Sequence, residues 1–181
     1  KAMVIYKEVL RIDPNHFDSL HLLGVAYSQI DKNEIAIEFI QKAIEINQSN
    51  PMIYANLANV QFKIKEYKSA LIQCNKALLI ESEYIDALSI KGNILTKLNK
   101  TNEALVEFDM LISIDDKHSK TYYDKGNLFL NLGQIENAIL NFKQAITLQP
   151  DYASAHYNLG NVYFQIDQID DAIICYKKPS P

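Results

Sequence analysis

The sequence has little of several residue types on which other kinds of protein depend. Its 181 residues include 2 Cys, 5 Gly, 5 Pro and no Trp. Two cysteines are too few for a disulfide-stapled secreted scaffold, and so few glycines and prolines exclude a collagen-like or low-complexity chain. The formal net charge of −4 argues against nucleic-acid binding, which usually needs a basic domain. No apolar run approaches the roughly 18 residues that span a bilayer, so we expect no membrane segment.

What the sequence does have is an internal repeat of 34 residues. Alanine recurs at this interval without exception, at Ala2, Ala36, Ala70, Ala104, Ala138 and Ala172. Glycine occupies a second phase of the same interval, at Gly24, Gly92, Gly126 and Gly160, with Ala58 at the missing step. A third column consists of Tyr6, Ile40, Cys74, Phe108, Phe142 and Tyr176. Chance does not align six alanines in this way, so the chain is an array of one repeated unit.

Each unit contains two apolar stripes at helical spacing, separated by a short polar turn, and this pattern predicts a pair of helices. Prolines at the ends of stripes support these limits, since proline ends one helix and suits the first turn of the next. We expect helices near 1–11, 17–30, 33–46, 51–64, 67–80, 85–98, 101–114, 119–132, 135–148, 153–166 and 169–178. Pro179 should end the last of them. The glycine and alanine columns should face each other where the paired helices approach closely. Phe108 and Phe142 should fill the space between neighbouring units.

The columns resemble the tetratricopeptide repeat, as in Leu20, Leu23-Gly24, Tyr27, Ala36 and Ile40. The resemblance covers essentially the whole chain, with departures such as the absence of Trp and Gln61 in place of Tyr. It implies an all-α fold, an alpha-alpha superhelix in which antiparallel helix pairs form a right-handed solenoid. We expect a single array over 1–181, with a second helix of a truncated repeat at 1–16, repeats at 17–50, 51–84, 85–118 and 119–152, and an incomplete repeat at 153–181.

The resemblance also implies a concave groove, lined by the first helix of each unit, that binds a protein or peptide segment. Two columns should point into it. One runs through Asn59, Asn93, Asn127 and Asn161, and the other includes Asn56, Asp124 and Asn158. A primary amide donates and accepts hydrogen bonds as a peptide bond does, so this asparagine ladder suits the backbone of an extended ligand. The alternative is that these amides satisfy only local groups or water. Phe62, Tyr123 and Tyr157 lie beside the ladder as candidate pockets for apolar side chains.

Other kinds of site are not indicated. In one branch of the family, a carboxylate clamp binds the acidic C-terminal tails of chaperones. Every matching frame here places an aspartate such as Asp86 or Asp124 where the clamp needs Asn, Lys or Arg, so we expect no tight binding of such tails. The four histidines do not stand at metal-ligand spacing with Cys or carboxylates. No phosphate-binding loop or nucleophile motif is present. We therefore expect no metal, no cofactor and no catalytic residue.

Three functions stay open. The first is a non-catalytic, cytoplasmic interaction module or scaffold. The second is the substrate-recognition arm of a larger enzyme, since asparagine-lined arrays resemble the arm of the O-linked N-acetylglucosamine transferases. The third is a structural contact through the array ends, where Val4 and Ile5 at one end and Ile173, Ile174 and Tyr176 at the other have no partner helix in the pattern. This last feature predicts end-to-end self-association, because solenoids normally need polar capping helices.

Overall fold

Helices account for nearly all of the regular structure in the computed structural model, which describes residues 2–177. Eleven α-helices occupy this part of the chain: α1 (Ala2–Ile12), α2 (Phe17–Gln29), α3 (Asn33–Ile46), α4 (Pro51–Lys63), α5 (Tyr67–Ile80), α6 (Ile85–Lys97), α7 (Thr101–Ile114), α8 (Ser119–Asn131), α9 (Ile135–Leu148), α10 (Ala153–Gln165) and α11 (Ile169–Lys177). The expected all-α fold is confirmed, and the helix bounds differ from those predicted by at most one residue at each end. Pro179 lies outside the described residues.

The turn that joins the two helices of a pair has the same form along the array. In each turn one residue has a left-handed backbone, at Asp31, Lys65, Asn99, Gly133 and Asp167, with φ between 56° and 69°. After Asp31, Lys65, Gly133 and Asp167, the next amide donates to a carbonyl near the end of the first helix, as Glu66 N–H does to the Gln61 carbonyl at 2.8 Å. This is the usual way to satisfy the last carbonyls of a helix, and it favours Gly or Asn at the left-handed position.

The helices separate into two compact units, Lys1–Asn99 and Lys100–Pro181. In the first unit, α2 packs against α1, α3 and α4, and α4 packs against α3, α5 and α6. In the second unit, α8 packs against α7 and α9, and α10 packs against α9 and α11. The division falls between α6 and α7, inside the predicted repeat 85–118. The repeat boundaries given above stay a prediction.

The glycine and alanine columns lie where paired helices approach each other. Ala36, Ala70, Ala104, Ala138 and Ala172 are buried, whereas Ala2 on α1 is exposed. A Cβ added to Gly24 would lie 2.6 Å from Cγ1 of Ile40 and 3.1 Å from the Ala36 carbonyl oxygen. A Cβ on Gly126 would lie 2.7 Å from Cε1 of Phe142. The glycine column therefore makes room for the third column as well as for the alanines.

This geometry refines the role expected for the aromatic residues. Phe142 packs on Gly126 inside its own helix pair, and it also joins the core that α9 shares with α10, next to Leu159 and Val162. The ring thus fills space within the pair as well as between neighbouring pairs. Where Ala58 replaces glycine, the residue at the third-column position is Cys74, the smallest member of that column, and both are fully buried in one cluster.

Candidate functional site

The first helices carry the predicted asparagine columns, and we call the surface they form within each unit the first-helix face. In the first unit, α2 and α4 enclose a pocket of about 110 Å³ on this face. Its polar lining consists of Ser28, Gln29, Asn56, Asn59 and Lys63, and its apolar lining of Val25, Ile40 and Val60. The side chain of Asn59 is exposed and has no hydrogen-bond partner among the described residues. The pocket therefore presents an amide whose donor and acceptor are both available.

Two polar bridges hold α2 against α4 beside this pocket. Asn56 donates through Nδ2 to Nε2 of His21 at 2.7 Å. Lys63 donates through Nζ to the carbonyl oxygen of Ser28 at 3.2 Å and to its hydroxyl at 3.1 Å. Burial lowers the pKa of His21, and Asp18 opposes this effect only in part. A neutral His21 keeps the unprotonated Nε2 that accepts from Asn56.

In the second unit the predicted asparagines are engaged by their own chain. Asn158 donates through Nδ2 to Oδ1 of Asn127 at 2.8 Å and to the hydroxyl of Tyr123 at 3.3 Å. Tyr176 donates its hydroxyl hydrogen to Oδ1 of Asn161 at 2.7 Å. These contacts follow the alternative set out above, in which the amides satisfy local groups. A ligand at Asn127 or Asn161 would have to replace them.

Tyr123 and Asp124 belong to a largely buried group on α8. The ring of Tyr123 lies 5.1 Å from that of Tyr152 and 5.9 Å from that of Phe142. Asp124 is only 8% exposed and accepts from Nζ of Lys120 at 2.8 Å. Burial, with a smaller contribution from Asp124, raises the pKa of Tyr152 to about 12. The hydroxyl of Tyr152 therefore stays protonated at neutral pH. Because Asp124 is buried, it offers little surface to a ligand.

The remaining predicted residues are spread over both units. Phe62 is half-buried at the end of α4, with its ring 5.6 Å from that of Tyr67. Asn93 is half-buried on α6. Tyr157 is 61% exposed on α10, with its ring 6.0 Å from that of Tyr176. The structure thus brings Asn56 and Asn59 together at one pocket, and it gathers Tyr123, Asn127 and Asn158 in a separate hydrogen-bonded group.

The sequence analysis did not single out Ser28 and Gln29 as pocket residues. A signal for some of these contacts is present in the chain, because several polar partners on the first-helix face are 35 residues apart. They are His21 with Asn56, Ser28 with Lys63, and Tyr123 with Asn158. Positions that face each other on consecutive first helices are therefore separated by one repeat of 34 residues plus one residue. A search for complementary polar residues at that step would have found all three pairs.

Among residues 2–177, no group of three or more His, Cys, Asp or Glu residues is arranged to hold a metal ion. None of the helices in that part of the chain is long and apolar enough to cross a membrane. Cys74 and Cys175 are both buried, and neither forms a disulfide.

Comparison with protein families and curated proteins gives three matches. A family model described as TPR repeat matches residues 126–167, and one described as tetratricopeptide repeat matches residues 5–38. The curated relative is anaphase-promoting complex subunit 3 of Schizosaccharomyces pombe, which is 24% identical over 95 residues. The match covers 52% of this chain and 14% of that protein, so the chain corresponds to a small part of its relative.

Solved structures share the fold over nearly the whole chain. A tetratricopeptide repeat protein from Parabacteroides merdae is 19% identical with a TM-score of 0.81, covering 99% of this chain and 73% of that one. TTC0263, a TPR protein of Thermus thermophilus, is 18% identical with a TM-score of 0.79, covering 90% and 89%. YrrB, described as a TPR protein with an unusual peptide-binding site, is 22% identical with a TM-score of 0.66, covering 96% and 89%. At these identities the likeness establishes the fold.

Proposed function

We propose that this chain, which is a tetratricopeptide repeat protein, is a non-catalytic interaction module that holds an extended segment of a partner protein on its first-helix face. The observation that carries the proposal is the pocket between α2 and α4, with the unpartnered amide of Asn59 at its edge. An amide in this position suits a peptide backbone, because it donates to a carbonyl and accepts from an N–H at once.

The surroundings of Asn59 favour binding without rearrangement. The contacts of Asn56 with His21 and of Lys63 with Ser28 fix α2 and α4 relative to each other. A site that is already ordered loses less conformational entropy when its ligand arrives. Val25 and Val60 line the same pocket and give it room for a small apolar side chain beside the backbone contact.

The asparagines of the ladder do not contribute equally to the proposed binding. Asn59 is the open position, whereas Asn127, Asn158 and Asn161 already have partners in the chain. In the second unit the first-helix face offers aromatic surface, above all the exposed ring of Tyr157. We therefore expect a partner segment to bind through its backbone at the first unit. The first-helix face of the second unit suits apolar side chains instead.

The test begins with a random 12-residue peptide library displayed on phage and selected on the wild-type protein. The affinity of the selected peptides is then measured by fluorescence anisotropy. Asn59→Ala should weaken them about 10-fold, since an unmet hydrogen bond to a peptide group costs about 1–3 kcal/mol. Asn75→Ala is the matched control, because Asn75 is an exposed asparagine on α5, a second helix of the same unit. Equal affinities for the two variants would contradict the role of Asn59.

The exposed ends of the array support a second candidate, association through end faces. On α1, Val4 is 64% exposed and Ile5 is 61% exposed. On α10 and α11, Phe164 is 63% exposed and Ile173 is 41% exposed. Sedimentation of the wild type and of Val4→Asp/Ile5→Asp tests this candidate. At about 1 mM, even an association free energy of about −4 kcal/mol would give a detectable amount of oligomer. A wild type that stays monomeric up to this concentration would argue against the candidate.

A further inference from the structure

A trough runs along the opposite side of the second unit, between the second helices α9 and α11, and we call it the α9–α11 trough. Two adjoining cavities of about 720 and 390 Å³ form it, and both are lined by Lys143, Tyr163 and Asp171. Its lining on α9 extends from Ile135 to Thr147, about 20 Å at 1.5 Å per residue. None of the residues predicted for the first-helix site lines it.

The trough has an apolar interior and exposed apolar edges. Ile139 and Ile146 line it from α9, and Tyr163 forms part of its floor from α10. Among the lining residues, Ile166 is 38% exposed and Ile174 is 58% exposed. Exposed aliphatic side chains are ordinary when isolated, but a run of them along a concave surface marks an interaction site.

The charge at the rim of the trough is mainly negative. Glu136, Asp170 and Asp171 are exposed at the beginning of α9 and α11. Glu136 and Asp170 have no ion-pair partner among the described residues. The cation facing them is Lys143, whose Nζ lies 5.7 Å from the centre of the Tyr163 ring, and its interaction with Tyr163 is the main cause that raises the pKa of Lys143. That cation is therefore already engaged with the trough floor, and the rim attracts positive charge.

The repeat supplies an internal comparison in the first unit. Three repeats earlier, between α3 and α5, Lys68 and Ser69 stand in place of Asp170 and Asp171, and Gln41 stands in place of Lys143. The corresponding positions there also lack one of the wall residues, since Asn33 replaces Ile135. The first unit has a corresponding cavity of about 410 Å³, and it keeps Glu34 and Ile37 at the positions of Glu136 and Ile139. The feature that belongs to the second unit is the pair of carboxylates at the start of α11, which the repeat fold does not require.

We propose that the α9–α11 trough binds a basic amphipathic helix of a partner protein. A helix of about 13 residues matches the length of the trough, and helices commonly dock in apolar grooves through residues at positions i, i+3, i+4 and i+7. Its apolar face lies over Ile139, Tyr163 and Ile174. Its Lys or Arg side chains lie over the carboxylates of Glu136, Asp170 and Asp171. This contact shares no residue with the first-helix pocket.

The test uses a 14-residue Leu/Lys peptide designed as an amphipathic helix and, beside it, a Leu/Glu peptide of the same apolar pattern. Binding is followed by backbone amide chemical shifts of the isotope-labelled full chain. The Leu/Lys peptide should bind with saturable 1:1 behaviour and shift amides of α9, the end of α10 and α11, whereas the Leu/Glu peptide should not bind. Shifts centred on α2 and α4 would place the peptide on the first-helix face and overturn the proposal. Absence of saturable binding would overturn it as well.

Variants separate docking in the trough from general attraction to an acidic protein. Ile166→Ser/Ile174→Ser alters exposed side chains that line the trough and should weaken the Leu/Lys peptide at least 10-fold, as expected for loss of apolar contact. Asp170→Asn/Asp171→Asn should weaken it about 3- to 10-fold. Glu34→Gln/Glu66→Gln is the matched control, since it removes two exposed carboxylates near helix starts of the first unit. Circular dichroism checks that each variant is folded, and an equal loss in the control would overturn the proposal.

Discussion

The pairing of Gly126 with the ring of Phe142 inside one helix pair can be tested by exchanging it for the pair of residues that the chain itself uses elsewhere. In the pair formed by α8 and α9, Gly126 faces Phe142, whereas the pair formed by α4 and α5 has Ala58 and Cys74 at the same positions. If the glycine is there to make room for the ring, then Gly126→Ala should be harmful with Phe142 and harmless with Cys at position 142.

The magnitude follows from the contact distances. A Cβ at position 126 would lie 2.7 and 2.8 Å from two carbons of the Phe142 ring, which is fully buried and has no space to move into. Overpacking of this kind costs about 1–3 kcal/mol. Replacing a mid-helix glycine by alanine gains about 1 kcal/mol of helix propensity, which offsets part of that cost. We expect Gly126→Ala to lower the free energy of unfolding by about 1 kcal/mol.

The double variant gives the decisive comparison. Phe142→Cys alone should cost about 3 kcal/mol, because it leaves a cavity. In that background the clash is gone, so Gly126→Ala should now stabilise by about 1 kcal/mol. The coupling energy between the two positions is then about 2 kcal/mol, well above the few tenths expected for independent sites.

Urea unfolding of the four proteins by circular dichroism measures this coupling, and hydrogen exchange of the amides in α8 and α9 localises it, since repeat arrays need not unfold in one step. Ala58→Gly is the matched control and should lower stability by about 1 kcal/mol, because no large ring faces that position. Additive effects of Gly126→Ala and Phe142→Cys, or a stabilising Gly126→Ala in the wild type, would refute the packing explanation.

Three further predictions concern single residues. Gln61→Leu should raise the free energy of unfolding by about 1–2 kcal/mol in urea titrations, because the side-chain oxygen of Gln61 is buried without a hydrogen-bond partner. The repeat tolerates leucine there, since Leu95 occupies the same position one repeat later. A loss of stability would contradict this reasoning. Lys65→Gly should raise the free energy of unfolding by about 1 kcal/mol and with it the thermal midpoint, since Lys65 has φ of 63° and Gly133 occupies the same turn position. Lys32→Gly should not raise the midpoint, because Lys32 is not at a left-handed position. Because burial lowers the pKa of His21 below its ordinary 6.5, the unfolded chain binds more protons between the folded and the ordinary pKa. Stability attributable to His21 is therefore complete above pH 6.5 and falls as the pH drops through that window, and His21→Gln should flatten this part of the pH profile.

The spacing of apolar residues, together with prolines and polar turns, was enough to predict the helices. Helix limits depend on local chemistry, namely the spacing of apolar residues, Pro51 at a helix start and the polar turns, all of which can be identified without tertiary structure. The repeat adds a second constraint, because the same local pattern recurs with the same partner positions. The close approach at Gly24 followed from the facing of two small-residue columns and is found in the structure.

The state of each candidate site residue could not be predicted in this way. All members of the asparagine column look alike in sequence, yet Asn59 is open to a ligand and Asn161 is held by Tyr176. That difference depends on which polar group comes within hydrogen-bond distance when consecutive helices pack, and the distance is set by side chains on neighbouring elements. The same is true of the pocket at Asn59, which exists because Lys63 and Asn56 reach back to α2.

The sequence by itself determined the repeat, the helix pairs and the positions that must be small, because these follow from periodicity and from the volume available between two backbones. Only the tertiary structure decided which amides already have a partner, that Asp124 is buried, and that an acidic apolar trough lies between α9 and α11. These features depend on contacts between residues about a repeat apart or on separate helices, and a periodic pattern that treats all repeats as equal does not contain them.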